Sequence, residues 1–214
     1  MGRRFVSERR RDPYYRAAQR EGLRSRAAFK LAYLADRYPL FAPGDRILDL
    51  GAAPGGWSLV ALERIAPGGT IVAVDPRPVE PIDGVEYLRA RVGDPRLVER
   101  LGPRPFDTVI SDLSPRISGA YATDHARSVD LVRAASELAH AVLRDGGRFV
   151  AKLFDGELRA DLEAEIAPQY ERLVRTKPPA SREQSSEIYL VAWGHRRRAR
   201  PRRPEREGAP RPDI

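Results

Sequence analysis

The chain has 214 residues, 42% of them hydrophobic and 32% charged, a make-up that fits one globular domain with short tails and excludes a disordered or repetitive chain. It contains no cysteine, which excludes disulfides, thiolate metal sites and cysteine nucleophiles, and its three histidines (His125, His140 and His195) are too scattered to suggest a metal cluster. The net charge of +8 is uneven: residues 1–26 carry +6 and residues 195–214 carry +5, leaving −3 for residues 27–194. Basic ends on a slightly acidic body attract phosphate backbones by counterion release, although such tails can also serve solubility alone.

Residues 1–23 are polar and rich in Arg, with Tyr14 and Tyr15 embedded, and read as a basic arm. The segment is charged from Arg3 onward and lacks the apolar core of a secretion signal; no run reaches the ~20 apolar residues of a membrane span. A soluble, cytoplasmic protein is expected, and with no oligomer signal, a monomer. Ser25 is placed to cap a helix running to about Tyr38, with Ala28, Leu31, Leu34 and Ala35 on its apolar face.

Strand and helix patterns then alternate. Arg46–Leu50 reads as a strand, Trp57–Ile65 as a helix, Thr70–Asp75 as a strand and Val85–Arg89 as a third. Pro95–Leu101 is a short helix, Phe106–Ser111 a strand, and a long helix runs from about Thr123 or Asp124 to Leu143. Gly146-Gly147 precedes a strand at Arg148–Phe154; Glu157–Ile166 follows as a helix, then strands at Arg172–Thr176 and Glu187–Trp193. The order predicts an α/β fold, a mostly parallel seven-stranded sheet with helices on both faces. Two final strands without a helix between them predict one antiparallel edge strand. The domain is expected over residues 24–194, with an Arg- and Pro-rich disordered tail from His195.

The first strand–helix junction reads Asp49-Leu50-Gly51-Ala52-Ala53-Pro54-Gly55-Gly56-Trp57. Its spacing is neither the G-x-G-x-x-G of a dinucleotide site nor a phosphate-binding P-loop, so nothing provides for a pyrophosphate. Asp75 ends the second strand, where a carboxylate can accept from both ribose hydroxyls of an adenosine ligand, and Asp112 follows the fourth strand at the same crevice. The combination fits a nucleoside without a pyrophosphate, which points to S-adenosylmethionine.

Basic residues carry a further signal. Of 38, only Lys30, Lys152 and Lys177 are lysine. Arg cannot act as a base, whereas a Lys amine can once its charged form is disfavoured, so a retained Lys marks a position where Arg would fail.

These motifs resemble the FtsJ-type (RrmJ-like) large-subunit ribosomal RNA (uridine) 2′-O-methyltransferases, with a Rossmann-like class I methyltransferase fold. The resemblance covers roughly Gly22 to Trp193. It rests on Arg24-Ser25-Arg26-Ala27-Ala28-Phe29-Lys30-Leu31, the glycine turn through Trp57-Ser58, Ser111-Asp112-Leu113-Ser114-Pro115, Val150-Ala151-Lys152-Leu153-Phe154 and Ser185-Ser186-Glu187-Ile188-Tyr189. It implies a catalytic tetrad of Lys30, Asp112, Lys152 and Glu187, and cofactor contacts at Gly51, Gly55, Trp57, Asp75 and Asp112. The chain departs from the family at Ala28, where Trp is common, and at Arg116, where Asn is common. An acid expected near the adenine falls on Arg91, with Asp94 as the alternative.

The implied reaction displaces a sulfonium by a ribose 2′-hydroxyl, with ribosomal RNA or the large ribosomal subunit as partner. It needs no metal, but it needs a base at the hydroxyl. Lys152 is the candidate base and Lys30 the neighbouring cation that disfavours its charged form. Asp112 and Glu187 orient the two amines. Arg24, Arg26, Lys177 and Arg182 are candidates for a phosphate track. The alternatives are 2′-O-methylation of transfer RNA or of another ribosomal site, and a non-catalytic RNA-binding assembly factor that keeps the fold.

Overall fold

The computed structural model describes residues 24–181 and 185–197. The expected basic arm, Arg182 and most of the expected tail lie outside the described residues. Elements in chain order are α1 (Ala27–Arg37), β1 (Arg46–Leu50), α2 (Gly56–Ile65), β2 (Thr70–Val74), β3 (Val85–Leu88), α3 (Leu97–Leu101), β4 (Phe106–Ser111), α4 (Tyr121–Val142), β5 (Leu143–Phe154), α5 (Arg159–Ile166), β6 (Arg172–Thr176) and β7 (Glu187–Trp193).

The strands form one seven-stranded sheet in the order β3-β2-β1-β4-β5-β7-β6. The first five of that order are mutually parallel, and β7 runs against both β5 and β6. The expected antiparallel pairing is thus at that edge, with the reversed strand inset by one position. Central strands such as Thr-Ile-Val-Ala-Val (β2) are apolar on both faces because helices cover both. On one face α1 and α2 bury Leu31, Leu34, Val60 and Ile65 against Ile47, Ile110, Val150 and Val191. On the other α3, α4 and α5 bury Leu97, Val132, Ala135 and Leu162 against Leu48, Val109, Phe149 and Leu190.

Three boundaries differ from expectation for local physical reasons. Ser25 does not cap α1, which begins after Arg26 without a side-chain cap; its hydroxyl instead packs where a side chain on Gly56 would stand. Strand β5 starts at Leu143 because the register with β4 jumps from Phe106–Leu143 to Thr108–Arg148, absorbing Arg144–Gly147 as an irregularity. His195, expected to open the tail, is buried: its N–H donates to Gly147 O at 3.0 Å, and Gly146 N–H donates to His195 O at 2.8 Å. Arg196 and Arg197 are also tied down, their N–H groups on Gln169 O and Asp145 Oδ1. The ordered body therefore extends at least to Arg197.

Candidate active site

The strand order reverses between β1 and β4, and ligands of such sheets bind beyond the carboxyl ends there. Asp49 and Gly51 come from the end of β1, Asp75 follows β2, Asp112 follows β4 and Lys152 lies near the end of β5. The antiparallel run of β7 brings its first residue, Glu187, opposite Phe154 at this same end, and places Tyr189 opposite Lys152. Lys30 reaches the site from α1. The structure thus brings all four predicted tetrad residues to one place.

Two Lys–acid pairs form there, both largely buried. Lys152 Nζ donates to Asp112 Oδ1 at 3.1 Å and to the Asp112 carbonyl at 2.9 Å. Lys30 Nζ is paired with Glu187 Oε1. The two pairs are joined by a residue the sequence reading missed. The Tyr189 hydroxyl lies 2.8 Å from Glu187 Oε1 and 3.2 Å from Asp112 Oδ1. The Tyr189 ring also lies beneath Lys30, with Nζ 5.9 Å from the centroid. Burial and then the two carboxylates push the Tyr189 hydroxyl well above its usual pKa, so it stays a donor. Burial works to raise the Glu187 carboxyl, but the charges of Lys30 and Lys152 outweigh it and hold Glu187 below the usual value. One signal for Tyr189 was present in the sequence: Glu187 and Tyr189 are two residues apart on a strand and so share a face.

The glycine turn is shaped for close approach. Gly51 has φ +79° and a side chain there would meet the Leu113 backbone; Gly55 has φ +105° and a side chain there would meet Ile82. Arg24, expected on a phosphate track, instead holds this turn to the next loop by donating to the carbonyls of Pro54, Glu80 and Pro81. Trp57 is buried, its indole N–H donates to Ala27 O at 2.9 Å, and its ring packs on Tyr189 at 5.8 Å between centroids. The Trp therefore couples the glycine turn to the tetrad through the Tyr189 ring. Lys177 is exposed, with its Nζ on Ser185 O across the loop between β6 and β7.

Asp75 is buried and fully engaged. It accepts from the Ala53 N–H at 3.0 Å and from Arg77 through its backbone N–H and two guanidinium nitrogens. Burial raises its pKa, but the Arg77 and Ala53 hydrogen bonds prevail and lower it. Of the two adenine candidates, Arg91 is exposed, and the Asp94 carboxylate is committed to the Arg96 N–H in the turn entering α3.

Asp49 was also missed as a site residue. It is fully buried, its Oδ2 accepts from Ser58 Oγ at 2.6 Å, and its Oδ1 has no partner among the described residues. Burial, reinforced by the charges of Asp112 and Asp75, pushes it up to about 7 against the opposing Ser58 bond. An acid inside an otherwise apolar strand was the sequence signal. Of the three carboxylates, Asp75 is paired with Arg77 and Asp112 with Lys152, while Asp49 keeps one oxygen without a partner among the described residues and so offers an acceptor to a cationic ligand. S-adenosylmethionine, with its sulfonium and ammonium groups, fits that donor set.

Comparison with known proteins gives the family. The profile of the FtsJ-like methyltransferase family matches residues 23–195. The chain is 43% identical over 196 residues to the ribosomal RNA large subunit methyltransferase E of Gluconobacter oxydans, covering 90% of this chain and 72% of that protein. It is also 43% identical over 197 residues to the protein of the same name from Methanothermobacter thermautotrophicus, covering 89% of this chain and 93% of the relative. Among solved structures, a ribosomal RNA methyltransferase of Plasmodium falciparum, described as putative, superposes with a TM-score of 0.73 at 27% identity over 80% of this chain and 98% of its own. A profile match over residues 23–195, and relatives this similar over most of both chains, place the protein in the FtsJ-like methyltransferase family.

Proposed function

We propose that this protein methylates a ribose 2′-hydroxyl of large-subunit ribosomal RNA, most consistently a uridine, with Lys152 as the general base. The observation that carries the reading is the double hold of Asp112 on the buried Lys152 amine, next to a second cation at Lys30. When bound, S-adenosylmethionine supplies a methyl group already activated on a sulfonium. Asp49, Asp75, Asp112 and the turn at Gly51 and Gly55 would hold it.

The chain's own work is to place the hydroxyl and take its proton. A Lys amine has three positions beyond its carbon; Asp112 occupies two of them, which leaves the third for the 2′-hydroxyl. The proton of the hydroxyl would pass to Lys152 Nζ as the methyl carbon exchanges its bond to sulfur for one to the hydroxyl oxygen, and from there to solvent. Lys30, fixed by Glu187, sets a second cation beside the Lys152–Asp112 pair. Tyr189 keeps the two carboxylates at a set distance, so the two amines cannot drift independently.

The substrate is supported by the names of the relatives, which act on ribosomal RNA of the large subunit. Mapping ribose methylation in ribosomal RNA from cells with and without the protein tests the proposal: one large-subunit site should lose its methyl group. Loss only at a transfer RNA site, or no loss anywhere, overturns it.

A further inference from the structure

Large apolar side chains are exposed at only four positions among the described residues: Val98, Ile117, Tyr121 and Leu158. Single exposed hydrophobics are ordinary. Here three of the four belong to the segments that leave the carboxyl ends of β4 and β5, the ends that carry Asp112 and Lys152. We propose that Tyr121, with Ile117, is a stacking platform for an unpaired nucleobase next to the reactive ribose. The inference rests on the RNA reading above and extends it to a residue for substrate positioning.

Tyr121 is 61% exposed yet held from two sides. Its hydroxyl donates to Asp155 O at 2.6 Å, just beyond β5. Its ring stacks on His125 one helical turn later in α4, centroids 6.4 Å apart and planes within 14°. His125 is itself buried and fixed. Its Nδ1 lies 2.7 Å from Phe154 O and its Nε2 accepts from the Leu158 N–H at 3.0 Å, so the neutral tautomer with the proton on Nδ1 satisfies both. Gly156 lies so close to the His125 ring that a side chain there would stand 2.6 Å from it. The loop bearing Ile117 is pinned as well. Asp124 accepts from the Ser118 N–H at 2.8 Å, the Ser118 hydroxyl at 2.7 Å and the Gly119 N–H at 3.0 Å.

An aromatic ring that is rigid and exposed contributes little to the core, but it is prepaid for binding: less conformational freedom remains to be lost when a partner lands on it. The surroundings select a nucleic acid over an apolar protein face. Arg116 directly precedes Ile117, its carbonyl accepts from the Arg127 guanidinium, and both residues are exposed on the segment between β4 and α4 and the first turns of α4. Stacked bases flanked by cations are the usual way single-stranded RNA is held.

The test compares the parent with Tyr121→Ala, Tyr121→Leu, Tyr121→Phe and, as a control on an exposed apolar residue elsewhere, Val98→Ala. Methyl transfer is measured on naked 23S ribosomal RNA and on isolated large subunits, alongside S-adenosylmethionine affinity. The Ala and Leu variants should raise KM for RNA about tenfold or more on both substrates, with cofactor affinity unchanged. Tyr121→Phe should restore near-parent KM, because stacking needs the ring and not the hydroxyl. If Phe fails as badly as Ala, the residue is a strut for Asp155 and the proposal is overturned. Ala behaving as the parent, or losing activity only on assembled subunits, overturns it too, the second result marking a protein contact. A parent enzyme inactive on both substrates overturns the RNA reading itself, and the platform with it.

Discussion

Lys152 is held twice by the same residue, through the Asp112 side chain at 3.1 Å and the Asp112 main chain at 2.9 Å. The second bond does not depend on the carboxylate, so the amine remains tethered if that group is neutralised. Lys152→Ala should lower methyl transfer by about 10²–10⁴-fold, the range of a lost general base, with cofactor affinity nearly intact. Lys152→Arg should fail comparably, because it keeps the charge and cannot deprotonate. Single-turnover transfer of a labelled methyl group to ribosomal RNA checks both; near-parent rates in either would remove Lys152 from its role.

Tyr189→Phe removes the hydroxyl between Glu187 and Asp112 while keeping the ring that packs on Trp57. As a positioning change it should cost kcat about tenfold and leave KM for the cofactor unchanged. Without that hydroxyl Glu187 loses one of the bonds holding its charged form, so the acidic limb of the pH–rate profile should move upward. An unmoved profile with normal kcat would show that the link is only structural.

Asp49 makes a prediction about stability. Its folded value of about 7 lies above its ordinary carboxylate value. Over that interval the folded chain binds a proton that the unfolded chain has released, so Asp49 lowers stability as pH rises toward 7, and the penalty is full above it. Asp49→Asn keeps an acceptor for Ser58 and removes the charge. Its Tm should exceed the parent's at pH 8 by about 3 °C or more, with the gap closing toward pH 5. Calorimetric scans at the two pH values check the sign. The same variant should bind S-adenosylmethionine more weakly at pH 8, because the ionised carboxylate is what attracts a cation.

Arg77 takes up the carboxylate that a ribose would need. Its side chain is two-thirds exposed, whereas Asp75 is buried. Such exposed partners are weakly held. Arg77→Ala should therefore tighten cofactor binding about three- to fivefold by removing a competitor, while Asp75→Ala should weaken it. Isothermal titration separates the two. Weaker binding in Arg77→Ala would mean that the guanidinium contacts the ligand rather than giving way to it.

Much of the architecture was legible because its elements have clean periods. Arg46–Leu50, Phe106–Ser111, Arg172–Thr176 and Glu187–Trp193 fall where the patterns put them. The start of β5 was not legible, since Gly146 and Gly147 look like a break; in the structure their backbone groups pair with His195, far along the chain. The four tetrad residues were found through motif resemblance and the scarcity of lysine. Tyr189 was passed over because an aromatic in a strand reads as core, and Asp49 because its neighbour Gly51 drew attention to the turn rather than to the acid inside the strand. What distinguishes them is a hydroxyl or carboxylate facing other charges, and that depends on strands distant in sequence. Arg24 shows the converse: its charge suggested RNA, and its neighbours turned out to be three carbonyls.

The reversal of β7 also decides where the chain's two basic ends are delivered. Arg24 lies against the glycine turn, so the segment preceding it joins the body on the crevice side. Trp193 pairs with Arg148 at the opposite end of the sheet, and the residues after it are fastened there by Gly147, Gln169 and Asp145. Had β7 run with its neighbours, both basic ends would have left beside the reactive lysine. As built, Arg24 stands by the crevice and Arg197 a sheet's length away. Deleting residues 1–23 should therefore change how the target is presented, while deleting residues 198–214 should change only how tightly RNA is held overall and how steeply that hold falls with salt.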